Sequence, residues 1–155
     1  MKMNGEERIP ASREAVWAAL NDPDVLRECI PGCQSLEKTS ENELTAKVGI
    51  KMGPVKATFD GAVTLENIDA PNAYTIRGEG KGGVAGHAKG SADVALADVE
   101  SEEGAGTQTL LTYDVDAAVG GKIAQLGSRL IDSTAKKLAG QFFTNLREHF
   151  ETETA

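Results

Sequence analysis

The sequence is poor in aromatic residues, in cysteine and histidine, and in basic relative to acidic side chains. Aromatic residues make up 5% of the 155 residues, and the chain has two cysteines and two histidines. Cys29 and Cys33 therefore offer too few ligands for a zinc site, and we predict reduced, partly buried thiols rather than a metal or redox role. Sixteen Lys and Arg against 24 Asp and Glu leave a net charge of -8. That charge repels a phosphate backbone, so we do not expect nucleic acid as a partner.

The chain also lacks a long hydrophobic run. No apolar stretch approaches the roughly 18 residues that a membrane-spanning helix needs, and the first ten residues lack the apolar part of a secretory signal. We therefore expect a cytoplasmic protein. A length of 155 residues with 40% hydrophobic and 26% charged residues is typical of one globular domain, which we place over residues 1–155.

The periodicity of apolar residues predicts the order of elements. A weak strand before Pro10 is followed by two short helices, the first capped by Ser12 and the second beginning at Asp22-Pro23. From Leu44 to Val119 apolar and polar residues alternate between turn signals, which indicates antiparallel strands joined by hairpins. Counting the opening segment, we predict six or seven strands.

After Gly120-Gly121 the period becomes helical, and the apolar residues from Ile123 to Phe150 form one stripe along a long helix. A meander of strands with one long terminal helix buries its apolar surface by curling the sheet around that helix. The sequence thus predicts an α+β helix-grip fold: a curved antiparallel sheet around a long C-terminal helix, with two short helices after the first strand.

The inward-facing positions of the predicted sheet are rich in small residues. They are Ala46, Ala57, Gly61, Gly78, Gly80, Ala88, Gly90, Ala92 and Ala117. Either these residues let the sheet bend and the helix approach closely, or the unfilled volume forms an apolar pocket for a hydrophobic small molecule. For the second case we predict that the large inward-facing residues line the pocket, namely Val48, Ile50, Phe59, Val63, Tyr74, Ile76, Tyr113, Val115, Ile123, Leu126 and Leu130.

Antiparallel order predicts that the two ends of the sheet differ. Three glycine turns fall at one end, which we call the glycine rim, and lysines lie close to them. We expect this rim to surround the cavity mouth and to dock to an anionic surface, unless its lysines serve only solubility. Its residues are Gly53, Pro54, Gly82, Gly83, Gly120, Gly121, Lys51, Lys81 and Lys122. The turns near Glu41, Asp69 and Glu102 form the opposite, acidic rim. We also expect free amides after Gly120-Gly121, at the start of the long helix, to bind a ligand oxygen.

Residues for catalysis are sparse. Neither His87 nor His149 has a neighbouring nucleophile in the sequence, and we assign no catalytic residue. Tyr74 and Tyr113 are predicted to point inward, where a hydroxyl either orients a ligand or reaches a buried partner.

Three segments resemble a known family. The runs VWAALNDPDVLRECIPGC at 16–33, KVGIKMGPVKATFDGAV at 47–63 and Gly-Gly-Lys-Ile at 120–123 are similar to the CoxG family, the G subunit of carbon monoxide dehydrogenase, in the START-like, or SRPBCC, superfamily. The resemblance implies a helix-grip fold with an internal apolar cavity. It also implies an accessory protein of a molybdenum hydroxylase that helps to attach the enzyme to the cytoplasmic membrane.

Combining both lines, we expect a non-catalytic accessory protein that holds a lipophilic ligand, best a quinone, and binds no covalent cofactor and no metal. The alternatives are a small enzyme of the polyketide cyclase or dehydratase type, and an adaptor whose interior is filled. Some relatives carry a longer tail than the acidic residues 151–155, so either the glycine rim docks to the membrane or this chain is shortened.

Overall fold

The structure, a computed structural model, describes residues 1–100 and 106–154 and contains seven β-strands and three α-helices. The strands are β1 (Lys2–Ile9), β2 (Cys33–Ser40), β3 (Glu43–Met52), β4 (Val55–Asp69), β5 (Ala73–Lys81), β6 (His87–Glu100) and β7 (Thr107–Gly120). The helices are α1 (Arg13–Leu20), α2 (Pro23–Cys29) and α3 (Ser128–Thr154), and two short 3-10 helices span Gly83–Ala85 and Lys122–Leu126.

All seven strands form one antiparallel sheet in the order β1-β7-β6-β5-β4-β3-β2. Strands β2 to β7 are sequential neighbours, as expected for strands joined by short turns. The helices α1 and α2 carry the chain from β1 at one edge to β2 at the other. The predicted α+β helix-grip fold is confirmed, and β2 is the strand whose position the alternation did not identify.

The short helices begin where the sequence supplies caps. Ser12 Oγ accepts a hydrogen bond from the amide of Ala15 at 3.2 Å, and Asp22 Oδ1 accepts one from the amide of Asp24 at 2.9 Å. These side chains satisfy amides that lack helical partners. Pro23 occupies the first turn of α2, where its missing N–H costs nothing.

Strand register determines which side chains share the inner face, the face that α3 covers. One row across the sheet contains Leu65, Ile76, Ala92, Val115 and Met3. The next row contains Tyr74, Val94, Tyr113 and Gly5. Toward the acidic rim these rows lead into the main cluster, the buried core around Ile9, Val16, Leu111, Leu146 and Phe150.

Helix α3 begins later than predicted. Gly120-Gly121 precede the short 3-10 helix, and Gly127, with a φ of +93°, separates that turn from α3 at Ser128. The expectation that the glycine pair presents the first amides of the long helix to a ligand is therefore wrong. The far end of α3 is joined to β1 by Arg147 Nη1 and Glu7 Oε2, which lie 2.7 Å apart.

None of the helices in the described ranges 1–100 and 106–154 has the length and the apolar character that crossing a bilayer requires.

Candidate functional site: an apolar cavity between the sheet and helix α3

An apolar cavity of about 400 Å³ lies between the inner face of the sheet and the helices. Strands, α1, α2 and α3 all contribute to its wall. The lining residues are Met3, Leu20, Leu26, Ile30, Leu36, Leu44, Thr45, Ala46, Val48, Val63, Leu65, Tyr74, Ile76, Ala92, Val94, Leu111, Tyr113, Val115, Ala139, Phe142 and Phe143. No charged side chain is among these lining residues, so the wall favours an uncharged molecule.

One side of the cavity is aromatic. The rings of Tyr113 and Phe143 are stacked, with centroids 5.4 Å apart and an interplanar angle of 18°. Phe142 meets Phe143 edge-on at 5.2 Å, and Trp17 of α1 meets Tyr74 edge-on at 5.1 Å. Both tyrosines and two of the four phenylalanines of the chain thus line this one space. The few aromatic residues of the chain are therefore concentrated at this cavity.

Tyr74 and Tyr113 are the residues of the cavity wall that carry a phenolic hydroxyl. Tyr74 is only 5% exposed, and its hydroxyl is not hydrogen-bonded to any residue in the described part of the chain. Burial raises the pKa of Tyr74 well above its usual range. Burial, and then the nearby Glu7 carboxylate, raise the pKa of Tyr113. Both hydroxyls therefore stay protonated at neutral pH and are hydrogen-bond donors.

The glycines of the inner face differ in what surrounds them. A side chain on Gly80 would meet only the sheet itself, with Asp60 O and Phe59 Cβ both at 3.9 Å, and one on Gly78 would meet Ala62 O and Val63 Cγ2 at 3.4 Å. No atom of α3 is among these neighbours. At Gly90, in contrast, an added Cβ would lie 2.5 Å from Asp116 O. Gly90 thus permits close strand packing, whereas Gly78 and Gly80 leave space open above them.

That open space continues the cavity. A shallow apolar depression of about 330 Å³ lies over the small residues and shares Val63, Ile76, Ala92 and Val115 with the cavity wall. We call the small inner-face residues of this depression the floor: Gly78, Gly80, Ala88, Gly90, Ala92 and Ala117. The cavity therefore continues along the middle strands, toward the end of β5.

Six of the eleven residues predicted to line a pocket do line the cavity: Val48, Val63, Tyr74, Ile76, Tyr113 and Val115. The structure places the others nearer the glycine rim. Phe59 and Ile123 are buried with Ala85 in a second cluster, to which Ile50 and Leu126 are added as partly buried neighbours. Leu130 contacts Gly53 instead. The prediction assigned all large inward residues to one space, but those near the glycine turns pack against each other.

Several lining residues were not predicted. Leu20, Leu26 and Ile30 come from the segment of α1 and α2, Leu36 comes from β2, and Phe143 comes from α3. The helical spacing of Leu20 was visible in the sequence, but nothing in it shows that α1 and α2 cover the sheet. Phe143 stands next to the apolar stripe of α3 and is buried because the sheet faces it on that side.

The glycine rim exists but does not surround the cavity. A side chain on Gly82 would overlap the Phe59 ring, at 2.5 Å from its Cε1, and one on Gly86 would lie 3.3 Å from the Gly121 Cα. The turns are therefore adjacent to each other and to the second cluster, and none of the predicted rim residues lines the cavity. Phe59 of the second cluster is paired with the lining residue Val48, so along β3 and β4 this cluster lies next to the cavity. Along β5, in contrast, the small residues lead from the cavity toward the rim.

The surface of the glycine rim is basic and carries one exposed apolar side chain. Lys51, Lys81 and Lys122 are exposed, and none of them forms an ion pair within residues 1–100 and 106–154. Val84, in the 3-10 helix between β5 and β6, is 92% exposed. At the acidic rim Glu41 and Asp69 are exposed, and Glu102 lies outside the described residues.

Neither histidine faces the cavity. His87 lies over Gly120 on the outer face, and His149 lies 3.7 Å from Glu28. Burial, and then the charge of Glu28, raise the pKa of the Cys29 thiol to about 11. Within the described ranges no three His, Cys, Asp or Glu side chains gather in a way that would hold a metal ion.

The opposite face of the sheet has a larger and more open depression of about 680 Å³, whose lining includes the charged residues Glu6, Asp93 and Asp114. There the Thr75 hydroxyl donates to Asp93 Oδ1 at 2.8 Å. Because small-molecule sites are mostly apolar with few polar groups, the apolar cavity on the inner face is the better candidate site.

Comparison with known proteins agrees with this architecture. The family model for the G subunit of carbon monoxide dehydrogenase (CoxG) matches residues 5–151. The chain belongs to the CoxG family. No curated protein sequence matches the chain.

Solved structures with the same fold lie at different distances from this CoxG-family chain. A conserved protein from Geobacillus kaustophilus is 32% identical, with a TM-score of 0.89 over 98% of this chain and 96% of that chain. A START superfamily protein from Mycobacterium smegmatis is 13% identical, with a TM-score of 0.71 over 97% of both chains. The Zhui aromatase/cyclase from Streptomyces sp. R1128 is 12% identical, with a TM-score of 0.65 over 100% of this chain and 96% of that chain. The last two show the fold alone.

Proposed function

We propose that this CoxG-family protein is a non-catalytic accessory protein that holds an apolar small molecule in the cavity and presents it to a partner enzyme. The observation that carries the proposal is the cavity of about 400 Å³ between the sheet and the helices, with an uncharged, largely apolar wall. Its size is within the roughly 300–1,000 Å³ typical of small-molecule sites. The residues around the cavity are themselves packed, since Leu20, Tyr74, Val94, Leu111 and Phe143 of its wall belong to the buried main cluster. The space is therefore a local feature and not a generally loose core.

A quinone is the ligand that fits this wall best. The rings of Tyr113, Phe142 and Phe143 offer flat faces and edges to a flat ring, and the floor leaves room for an aliphatic tail. A quinone is uncharged, so it enters such a wall without the cost of burying a charge. It also dissolves in membranes, which suits a carrier between a soluble enzyme and the lipid phase.

Family membership supports a partner as well. The name of the family implies association with carbon monoxide dehydrogenase, and we propose a CO-dehydrogenase-type molybdenum hydroxylase as the enzyme served. Such an enzyme passes electrons to an acceptor outside itself. An accessory protein that holds a quinone would supply that acceptor near the enzyme.

The glycine rim is the surface that we propose for contact with the membrane. The ammonium groups of Lys51, Lys81 and Lys122 have no ion-pair partners in the described part of the chain, and unpaired lysines are attracted to anionic lipid. Val84 projects from the same rim and would enter the headgroup region. The acidic rim is kept away from the lipid by this orientation.

The alternative of a small enzyme of the polyketide cyclase or dehydratase type would use the same cavity. Its wall contains no carboxylate, imidazole or amine, so acid–base chemistry would depend on the two tyrosines. Because their pKa values are raised, they hold their protons and are poor general bases. The wall therefore favours binding over catalysis.

The proposal is tested by adding 2,3-dimethyl-1,4-naphthoquinone and measuring the temperature of unfolding. This probe has a methyl group at each position where thiols add to naphthoquinones, so Cys29 and Cys33 do not react with it. We expect saturable stabilisation, which reaches about 2.7 kcal/mol at one hundred times the dissociation constant.

Two variants on β6 form a matched pair for this test. Ala92 lines the cavity, whereas Ala95 is exposed on the opposite face. Ala92→Phe should fill the space and abolish stabilisation by the probe, while Ala95→Phe should leave it unchanged. Stabilisation that is absent in the unmodified protein, or that survives Ala92→Phe, contradicts the proposed function.

A further inference from the structure

Tyr74 combines three properties that the proposed function does not by itself explain. It is almost fully buried, it lines the cavity, and its hydroxyl has no hydrogen-bond partner in the described part of the chain. Among the described residues only Arg13 Nε is a fully buried side-chain polar atom without a partner, so the Tyr74 oxygen keeps some accessible surface. The ring is held in the wall while the hydroxyl stays free to pair with a molecule in the adjoining space.

Packing fixes the position of the ring. Tyr74 lies on the inner face with Val94 directly opposite it on β6, and its ring packs edge to face with that of Trp17, with centroids 5.1 Å apart. Phenylalanine would make the same apolar contacts without the unpaired oxygen. The hydroxyl thus adds nothing to the packing of the ligand-free protein, and what it adds is a hydrogen-bond donor next to the cavity.

We propose that the Tyr74 hydroxyl donates a hydrogen bond to an oxygen of the ligand, so that the cavity selects an uncharged, largely apolar molecule that carries a carbonyl or ether oxygen on its ring. This inference rests on the proposed function and adds the chemical class and the orientation of the ligand. The ring end lies against Tyr74 and the aromatic wall. An aliphatic tail leaves in the other direction, over Gly78 and Gly80.

The absence of charge from the cavity wall defines the class further. A carboxylate or phosphate on the ligand would be buried without a cation, since neither lysine nor arginine is among the lining residues. A neutral oxygen acceptor needs only one donor, and Tyr74 supplies it. The cavity wall therefore disfavours a carboxylate or phosphate group inside it and fits the ring of a quinone or a similar cyclic ketone.

Tyr113 is the second hydroxyl of the cavity wall. It lies above Gly5 of the edge strand β1, 2.6 Å from the position of an added Cβ. Tyr74 is buried whereas Tyr113 is only half-buried, so we assign the hydrogen bond to Tyr74.

The test compares two probes of the same shape, 2,3-dimethyl-1,4-naphthoquinone and 2,3-dimethylnaphthalene, which lacks the oxygens. Tyr74→Phe should weaken binding of the quinone about tenfold, the value of one hydrogen bond, and change binding of the hydrocarbon less than about twofold. Ala95→Phe, on the exposed outer face of β6, should change neither by more than about twofold. Thermal unfolding without ligand confirms that each variant is folded.

A second measurement needs no variant. Hydrogen bonding lowers the infrared stretching frequency of a quinone carbonyl, so the bound probe should show a band below that of the same quinone in hexane. The inference is overturned if both probes bind and Tyr74→Phe affects them equally, or if the bound carbonyl absorbs as in hexane. If neither probe binds the unmodified protein saturably, the proposed function itself fails.

Discussion

The hydroxyl oxygen of Tyr113 lies 2.6 Å from the point where the Cβ of any side chain on Gly5 would be. The two residues are directly paired on β7 and β1. Tyr113 is also stacked on Phe143 of α3. The Tyr113–Phe143 pair of the cavity wall can take this position because Gly5 has no side chain. A glycine in the edge strand is thus part of the architecture of the site.

Gly5→Ala should move the Tyr113 ring and disturb its stacking on Phe143. We expect a loss of about 1–3 kcal/mol in the free energy of unfolding, typical of overpacking, together with weaker binding of 2,3-dimethyl-1,4-naphthoquinone. Urea denaturation measures the first effect and a ligand titration the second.

The control for this substitution is Gly140→Ala. Gly140 lies on the exposed side of α3 with open space around it, so alanine should raise the free energy of unfolding by about 0.5–1 kcal/mol and leave binding unchanged. Equal effects of the two substitutions on binding would show that the Gly5 site has no special connection with the cavity.

Gly80→Val tests whether the floor is open. A side chain there meets no atom of α3, and its nearest neighbours are at 3.9 Å. We expect the free energy of unfolding to stay level or rise by up to about 1 kcal/mol, because glycine is unfavourable within a strand. A naphthoquinone with a dodecyl chain should bind more weakly, while the tailless probe is unaffected.

The matched variant on the neighbouring strand is Gly90→Val, whose Cβ would lie 2.5 Å from Asp116 O. This change should destabilise the protein by more than about 1 kcal/mol. If Gly80→Val destabilises as much as Gly90→Val, the floor is closed in solution and the tail has no path along it.

Val84→Asp tests the glycine rim as the membrane contact. We expect the unmodified protein to cosediment with phosphatidylglycerol vesicles at low salt and to be released as salt rises, because lysines provide part of the attraction. Val84 is 92% exposed, and burying a valine side chain is worth about 1.5–3 kcal/mol. The substitution should therefore lower vesicle binding about tenfold or more.

Ile68→Asp is the control, since Ile68 is 44% exposed and lies near the acidic rim. It should leave vesicle binding as it was. If both substitutions lower vesicle binding equally, the glycine rim is not the specific contact surface. If the unmodified protein does not bind anionic vesicles at all, the proposed membrane contact is wrong.

Because the Cys29 thiol is buried, we expect the free energy of unfolding to fall at high pH. Burial raises the pKa of its thiol from 9.0 to about 11 in the folded protein, so the folded state binds the proton more tightly than the unfolded state. The resulting stabilisation is complete below about pH 9 and is lost progressively as the pH rises through about 11. Two pKa units correspond to about 2.7 kcal/mol of stability, and urea denaturation at a series of pH values measures this loss.

Cys29→Ala provides the reference, because every other group still titrates in it. The difference in the free energy of unfolding between the two proteins should narrow above about pH 9. A difference that stays constant up to about pH 11 would mean that the Cys29 thiol is not protected in the folded protein.

The alternation of apolar and polar residues predicted the sheet well because its inner face is buried and its outer face is wet. Residues 44–52 and 55–66 alternate strictly, and the structure places them in β3 and β4. Strand β2 was missed because its second half is exposed on both faces. The late start of α3 was missed because Ile123 and Leu126 continue the helical spacing although Gly127 interrupts the helix.

The cavity could be predicted only in part. Small residues such as Gly78 and Gly80 indicate missing volume, and the register correctly gave lining residues of the middle strands, such as Ile76 and Val115. The sequence does not tell how deep Phe59 reaches under the turns, so the second cluster was counted as cavity wall. Which helices cover the sheet depends on long-range packing, and α1 and α2 were therefore not expected to contribute.

The measurement that tests the central claim most directly uses Trp17, the only tryptophan of the chain, whose ring contacts Tyr74 of the cavity wall. Titration with 2,3-dimethyl-1,4-naphthoquinone should quench its fluorescence saturably with one equivalent of ligand, and Ala92→Phe should remove the saturable part. Quenching that rises linearly without saturation, as for free tryptophan in solution, or that is the same in Ala92→Phe, would contradict a ligand-binding cavity.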